Sequence, residues 1–207
     1  PQLSEIPEKY VELYGLASPS PRSAQIGTLR DPAVAFSQEY NDLLRTYALA
    51  ASRGEGLPQT ITLTVGDIIG DGLRKHISPE WFDVPVSIRL SPGAGPMKSG
   101  IAGSYADGII RLNAASPWGQ APQTFVHELV HHADAARGKP FVRGAGVTPK
   151  ASDQDWGKYA ARSQEGRARL QADKILEGRA RLPGRSEPLD ADISIPGTTG
   201  KDSTLRK

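Results

Sequence analysis

The sequence contains no cysteine. Disulfides, cysteine-bound zinc and thiol nucleophiles are therefore excluded, and any metal site must be built from histidine and carboxylate. Long apolar runs are also missing, so no segment reads as a transmembrane helix and no membrane partner is expected. Excess charge of one sign is missing too. The 25 Lys and Arg residues against 23 Asp and Glu leave +2, which is no electrostatic footprint for nucleic acid. Apolar residues make up 38%, below the usual globular share, so a modest core is expected rather than one running end to end. The first five residues show no basic stretch leading into an apolar one, and no secretion leader is expected. Localisation stays open: cytoplasmic, virion-associated and leaderless exported proteins all fit. Turn-forming residues are plentiful, with 22 glycines and 17 prolines.

Residues 1–30 mix Pro, Ser and Gly with Tyr10 and Tyr14, and read as an N-terminal arm or loosely packed segment with room for one short helix. Asp31-Pro32 then looks like an N-cap followed by Pro at the first helical position. Ala35, Phe36, Tyr40, Leu43, Leu44, Tyr47 and Ala48 recur at helical spacing, so one amphipathic helix is expected over 32–52. Residues 60–64 alternate like a strand. Residues 65–76 read as a second helix, with Ile68, Ile69, Leu73 and His76 on one face. Residues 84–90 alternate as a strand, with Pro85 at its start or on an edge. Asp107-Gly108 between two β-prone runs, 101–105 and 109–113, signals a hairpin. A strongly patterned helix follows over 122–137, closed by Gly138 and Pro140. A Gly-rich loop covers 138–152, and a last helix covers about 155–180. The expected class is α+β. One domain spans 31–181, and an irregular tail over 182–207 either packs on something or stays disordered.

The chemistry lies in Thr124-Phe125-Val126-His127-Glu128-Leu129-Val130-His131-His132-Ala133-Asp134, which contains His-Glu-x-x-His. His127 and His131 are four residues apart, so a helix stacks both imidazoles on one face, where two ring nitrogens can reach one metal ion. Glu128 adjoins the first ligand and is placed to act on a water at the metal rather than to bind it. Phe125, Val126, Leu129, Val130 and Ala133 supply the apolar surface that buries this helix. Three of the four histidines fall within six residues. Random placement gives the pattern in roughly 0.4% of such sequences, so incidental histidines explain it poorly. His132 points away from the ligand face by about 100° and reads as structural or exposed. His76 stands alone.

These residues resemble the zincin metallopeptidases over about 84–173. The resemblance implies a zincin-like fold: a small mixed sheet with an edge hairpin, packed on the His-Glu-x-x-His helix, with a second ligand-bearing helix. The continuation His131-His132-Ala133-Asp134 resembles the His-x-x-Asp of the gluzincin-like branch that includes anthrax lethal factor and the Pro-Pro endopeptidases. For that branch the resemblance implies a third ligand Glu on a later helix, with a Tyr a short distance upstream. The metzincin continuation is absent, since Asp134 and Arg137 stand where its Gly and His would be.

No histidine follows His132, so a downstream ligand must be a carboxylate: Glu165, Glu177, Glu187 or an aspartate. Glu165 shares a helix face with Ala161, Ala168, Ala172, Ile175 and Leu176, where a carboxylate is costly unless it is paired or binds a cation. Glu177 falls on a solvated face with Asp173, Lys174 and Arg181. Glu165 is therefore the expected third ligand, the bland alternative being an ion pair with Arg162 or Arg169. Asp134 is expected to orient an imidazole N–H, or else to partner the chain around Glu165; an ordinary surface Asp is the plain alternative. Tyr159 lies six residues before Glu165, close to the spacing the resemblance implies. Its phenol can donate to a developing oxyanion, or it is simply a core or rim tyrosine beside Trp156.

The expected activity is zinc-dependent endopeptidase hydrolysis with one Zn2+, metal-activated water, and Glu128 as general base. The peptide or protein substrate would lie extended along the edge strand near 101–105. Gly100, Gly103 and Gly108 would keep that strand unobstructed, although turn chemistry explains them equally well. The competing reading is a non-catalytic zincin-fold component of a larger assembly, whose partners order the terminal arms. A third is a self-inhibited precursor with one end in its own cleft.

Overall fold

The computed structural model describes residues 1–16, 28–90, 102–114, 121–138 and 164–187. A four-stranded mixed sheet is built from β1 (Thr60–Thr64), β2 (Pro85–Arg89), β3 (Gly103–Ala106) and β4 (Ile109–Asn113), in the order β1-β2-β4-β3. Only β2 and β4 run parallel; β1 pairs with β2, and β3 with β4, antiparallel. Val86 is in register with Ile110, and Ile88 with Leu112, so period-two alternation stacks four apolar side chains on one sheet face. The β3–β4 turn follows from Asp107 and Gly108, both at positive φ (55° and 77°), the pairing a type I′ hairpin requires.

Seven α-helices lie among the described residues: α1 (Glu8–Leu13), α2 (Pro32–Ala35), α3 (Gln38–Ser52), α4 (Val65–Ile68), α5 (Asp71–Arg74), α6 (Ala121–Ala136) and α7 (Gln164–Leu176). Helix α6 crosses β3 and β4 and also packs on α7. It buries Phe125, Val126, Leu129 and Ala133 completely. Ala168 and Ala172, also fully buried, let α7 approach closely.

The helix expected over 32–52 is broken in two. Phe36 is extended, and Ser37 caps α3 by accepting from the Tyr40 amide at 3.1 Å. The helix expected over 65–76 is broken as well, into α4 and α5 around Ile69 and Gly70. The two breaks share one cause. Ser37 N–H donates to Ile68 O and Gly70 N–H to Ala35 O, each at 2.8 Å, so Phe36 and Ile69 form an antiparallel bridge. A Cβ at Gly70 would lie 2.7 Å from the Phe36 carbonyl oxygen, so the approach needs glycine.

The N-terminal segment packs more closely than the expected arm, and the start of the tail takes the packed alternative. Ile6 and Tyr14 are core residues, and the Tyr14 hydroxyl donates to Leu90 O at 2.8 Å. Leu182 is 1% exposed and bridges Ile77, with its N–H on His76 O at 2.7 Å. The packed body thus includes residues before 31 and after 181. All of the loop expected over 138–152 except Gly138, and the tail beyond 187, lie outside the described residues.

Candidate metal centre and adjoining cleft

Helix α6 presents the motif as its spacing requires. His127 and His131 are one turn apart, with Nε2 atoms separated by 3.0 Å. Glu165, in the first turn of α7, completes the group: Oε2 lies 3.0 Å from His127 Nε2, and Oε1 lies 3.5 Å from His131 Nε2. The Ala168 and Ala172 face delivers that carboxylate against α6. His131 is nearly buried, whereas His127 and Glu165 are partly open to solvent.

The three donors fit a metal ion on chemistry and spacing. Four ligands held tetrahedrally at about 2.0–2.1 Å stand about 3.3 Å from one another. The observed separations of 3.0, 3.0 and 3.5 Å bracket that value. Two imidazoles and one carboxylate can hold one cation among the described residues. Hydrogen bonds from His127 and then His131 hold the Glu165 carboxyl well below the usual carboxylate range, which keeps it anionic.

Glu128 is buried beside this group and lines the adjoining cleft. Burial pushes its carboxyl up, and Glu165 adds to that. Charge on His127 and His131 opposes the rise, as does the Tyr105 backbone N–H, which donates to the carboxylate. Edge strand β3 therefore touches the motif directly. A Cβ at Gly103 would lie 2.5 Å from Thr124 Cγ2 and 3.2 Å from Glu128 Cγ, so strand and helix meet where only hydrogen fits. The cleft has a volume of about 390 Å³ and is lined by Ala102, Gly103, Gln123, Thr124, His127, Glu128 and Arg169.

Asp134 sits opposite Arg167 of α7, with Oδ2 4.0 Å from Nη2. His132 faces away from the ligands, edge-on to Trp81 and Tyr105 at 5.7 and 5.6 Å. Burial lowers its pKa, and Arg185 lowers it further. His76 holds the chain after α7 through Nδ1 and Ala180 O at 2.9 Å. Tyr159 and Gly100 lie outside the described residues. Sequence reasoning missed Gln123, Thr124 and Arg169 as cleft residues. A helical signal existed for each: Thr124 and Gln123 are three and four residues before His127, and Arg169 is four after Glu165.

No helix among the described residues is long and apolar enough to cross a membrane. Compared with family models, curated protein sequences and solved structures, the chain matches none.

Proposed function

We propose that the chain is a zincin-like endopeptidase that binds one zinc ion through His127, His131 and Glu165. The observation that carries this reading is the convergence of those three donors beside a buried carboxylate, Glu128, at the wall of an open cleft. The order of edge hairpin, motif helix and later ligand helix supports the zincin-like fold.

Bound zinc supplies Lewis acidity, lowering the pKa of water toward neutrality and polarising a carbonyl. Glu128 takes the proton of the attacking water and returns it to the leaving amine nitrogen. Its burial raises its basicity, and the Tyr105 N–H fixes the carboxylate without using a side chain. Strand β3 is the last strand of the sheet among the described residues, and its outer backbone edge is the place for an extended peptide. Tyr159 is proposed to donate to the oxyanion.

Metal analysis with a peptide-library digest tests the reading. Purified chain should hold about one equivalent of zinc and cleave peptides. Glu128→Gln should keep the zinc and lose cleavage by at least about a hundredfold. Tyr159→Phe should lower kcat with little change in KM. Zinc binding by a wild-type chain that cleaves nothing would favour the non-catalytic reading.

A further inference from the structure

We infer that Gln123 accepts a main-chain N–H of the bound peptide, so that the cleft refuses proline at one position beside the scissile bond. This rests on the peptidase reading and adds a rule of substrate selection. Gln123 stands at the seam between α6 and α7. Its Nε2 donates to Asp173 Oδ1 at 3.0 Å, and the same oxygen accepts from Arg30 Nη2 at 2.8 Å. Arg30 also reaches Glu177 at 3.3 Å. The Asp173 carboxylate has only lone pairs to offer, so the amide turns its nitrogen toward it. A reversed amide would set oxygen against oxygen.

That choice fixes the other end of the side chain. Gln123 lines the cleft, and the planar amide presents Oε1 on the side away from Asp173. Among the described residues no hydrogen bond ends on Oε1. The other polar groups of the cleft differ. His127 belongs to the metal group, and Glu128 is given to proton transfer. Arg169 carries donors only and is engaged within the chain. The Thr124 hydroxyl can donate as well as accept. Gln123 brings an acceptor whose orientation is set before any peptide arrives, which spares the cost of ordering it on binding.

The reach agrees. Gln123 is four residues before His127, about 6 Å along the helix at about 1.5 Å per residue. An extended peptide advances about 3.3 Å per residue, so an N–H one or two residues from the reacting carbonyl comes level with Gln123. Along a peptide paired with β3, one residue turns its N–H to the strand and the next turns it away. The N–H turned away has no strand to meet, because β3 is the last strand among the described residues. Gln123 Oε1 supplies its partner. Proline has no N–H to give and is refused there.

The test reads binding to the full metal-free chain by fluorescence anisotropy. A library of labelled, capped peptides is screened first, and the tightest binder is then methylated at one backbone nitrogen at a time. Methylation at nitrogens facing β3 should weaken binding to every variant alike. At one further nitrogen it should weaken binding to the wild type about fivefold to tenfold, and to Gln123→Ala less than about twofold. Proline at that nitrogen should repeat the pattern. Asp173→Asn leaves Gln123 in place but frees its amide to turn, and should show an intermediate loss at the same nitrogen. Circular dichroism confirms that both variants fold. The same methylation profile in wild type and Gln123→Ala, or no binder in the library, would overturn the inference. A full wild-type loss in Asp173→Asn would overturn the orienting role of Asp173. Cleavage by the zinc-loaded chain is scored separately. A Gln123-dependent nitrogen without any cleavage sinks the peptidase reading and leaves Gln123 standing. Cleavage with a profile blind to Gln123 does the reverse.

Discussion

The Nε2 atoms of His127 and His131 stand 3.0 Å apart, and the Glu165 carboxylate caps both. Two ring nitrogens that close leave room for one N–H between them, and a cation held by both is one way to satisfy the pair. Zinc at a hundred times its Kd should stabilise the fold by about 2.7 kcal/mol. For a chain of this size that raises the melting midpoint by roughly 5–10 °C. Glu165→Gln should weaken zinc binding at least about tenfold. Glu177→Gln should not, because that carboxylate is engaged by Arg179 and Arg30. Calorimetric titration and thermal melts decide; equal loss in the two variants would remove Glu165 from the ligand set.

Gly103 joins the edge strand to the motif helix through contact alone, which makes it separable by a mutant cycle. Gly103→Ala forces a methyl against Thr124 Cγ2 and Glu128 Cγ. It should cost about 1–3 kcal/mol and most of the cleavage. Thr124→Ser removes the methyl that lies closest. The double variant should regain much of the stability, yet less of the activity, because the Glu128 contact at 3.2 Å remains. Melting curves and peptide cleavage on all four proteins test this. Strictly additive losses would mean the two residues do not meet.

What the sequence made legible was local and periodic. Four-residue spacing placed His127 and His131 together, and an alanine face around Glu165 singled out that carboxylate. Asp107-Gly108 announced its hairpin through the left-handed backbone that such a turn needs. The hidden features depend on distant partners. Ser37 looks like one more polar residue in a continuous helical pattern. Only the Phe36–Ile69 bridge shows why the chain stops there. The parallel pairing of β2 with β4 has no residue signature. Nor has the anchoring of Leu182 against Ile77, which rests on backbone hydrogen bonds available to almost any residue.

Tyr14 ties the N-terminal segment to the end of β2, and its phenol titrates accordingly. Burial, with a smaller push from Tyr10, raises its pKa from 10.0 to about 12. The unfolded chain therefore loses this proton first, and stability falls as pH rises from about 10 to about 12. Tyr14→Phe should cost about 0.5–1.5 kcal/mol at neutral pH by leaving the buried Leu90 carbonyl without its donor. The same variant should lose its share of the alkaline decline, while the share from Tyr40, also raised by burial, persists. Urea titrations at pH 8 and 11 measure the difference. A gap between the proteins that does not narrow with pH would contradict the raised pKa of the Tyr14 phenol.

Arg137, just past the end of α6, holds the segment that follows α7. Its Nη2 donates to Pro183 O at 2.5 Å and to Gly184 O at 2.7 Å. Trp81 Nε1 donates to the same Pro183 oxygen at 2.9 Å. Arg137→Ala should cost about 1.5–3 kcal/mol, the range for hydrogen bonds from a charged donor. Exchange of the Leu182 amide, bonded to His76 O, should accelerate most, because that bridge depends on the clamp beside it. Zinc affinity should change little, since His131 lies more than one helical turn earlier and its contacts are with His127 and Glu165. Hydrogen exchange by mass spectrometry together with a zinc titration separates the two effects. A large drop in zinc affinity without faster exchange at Leu182 would show that the clamp acts on the metal group rather than on the chain end.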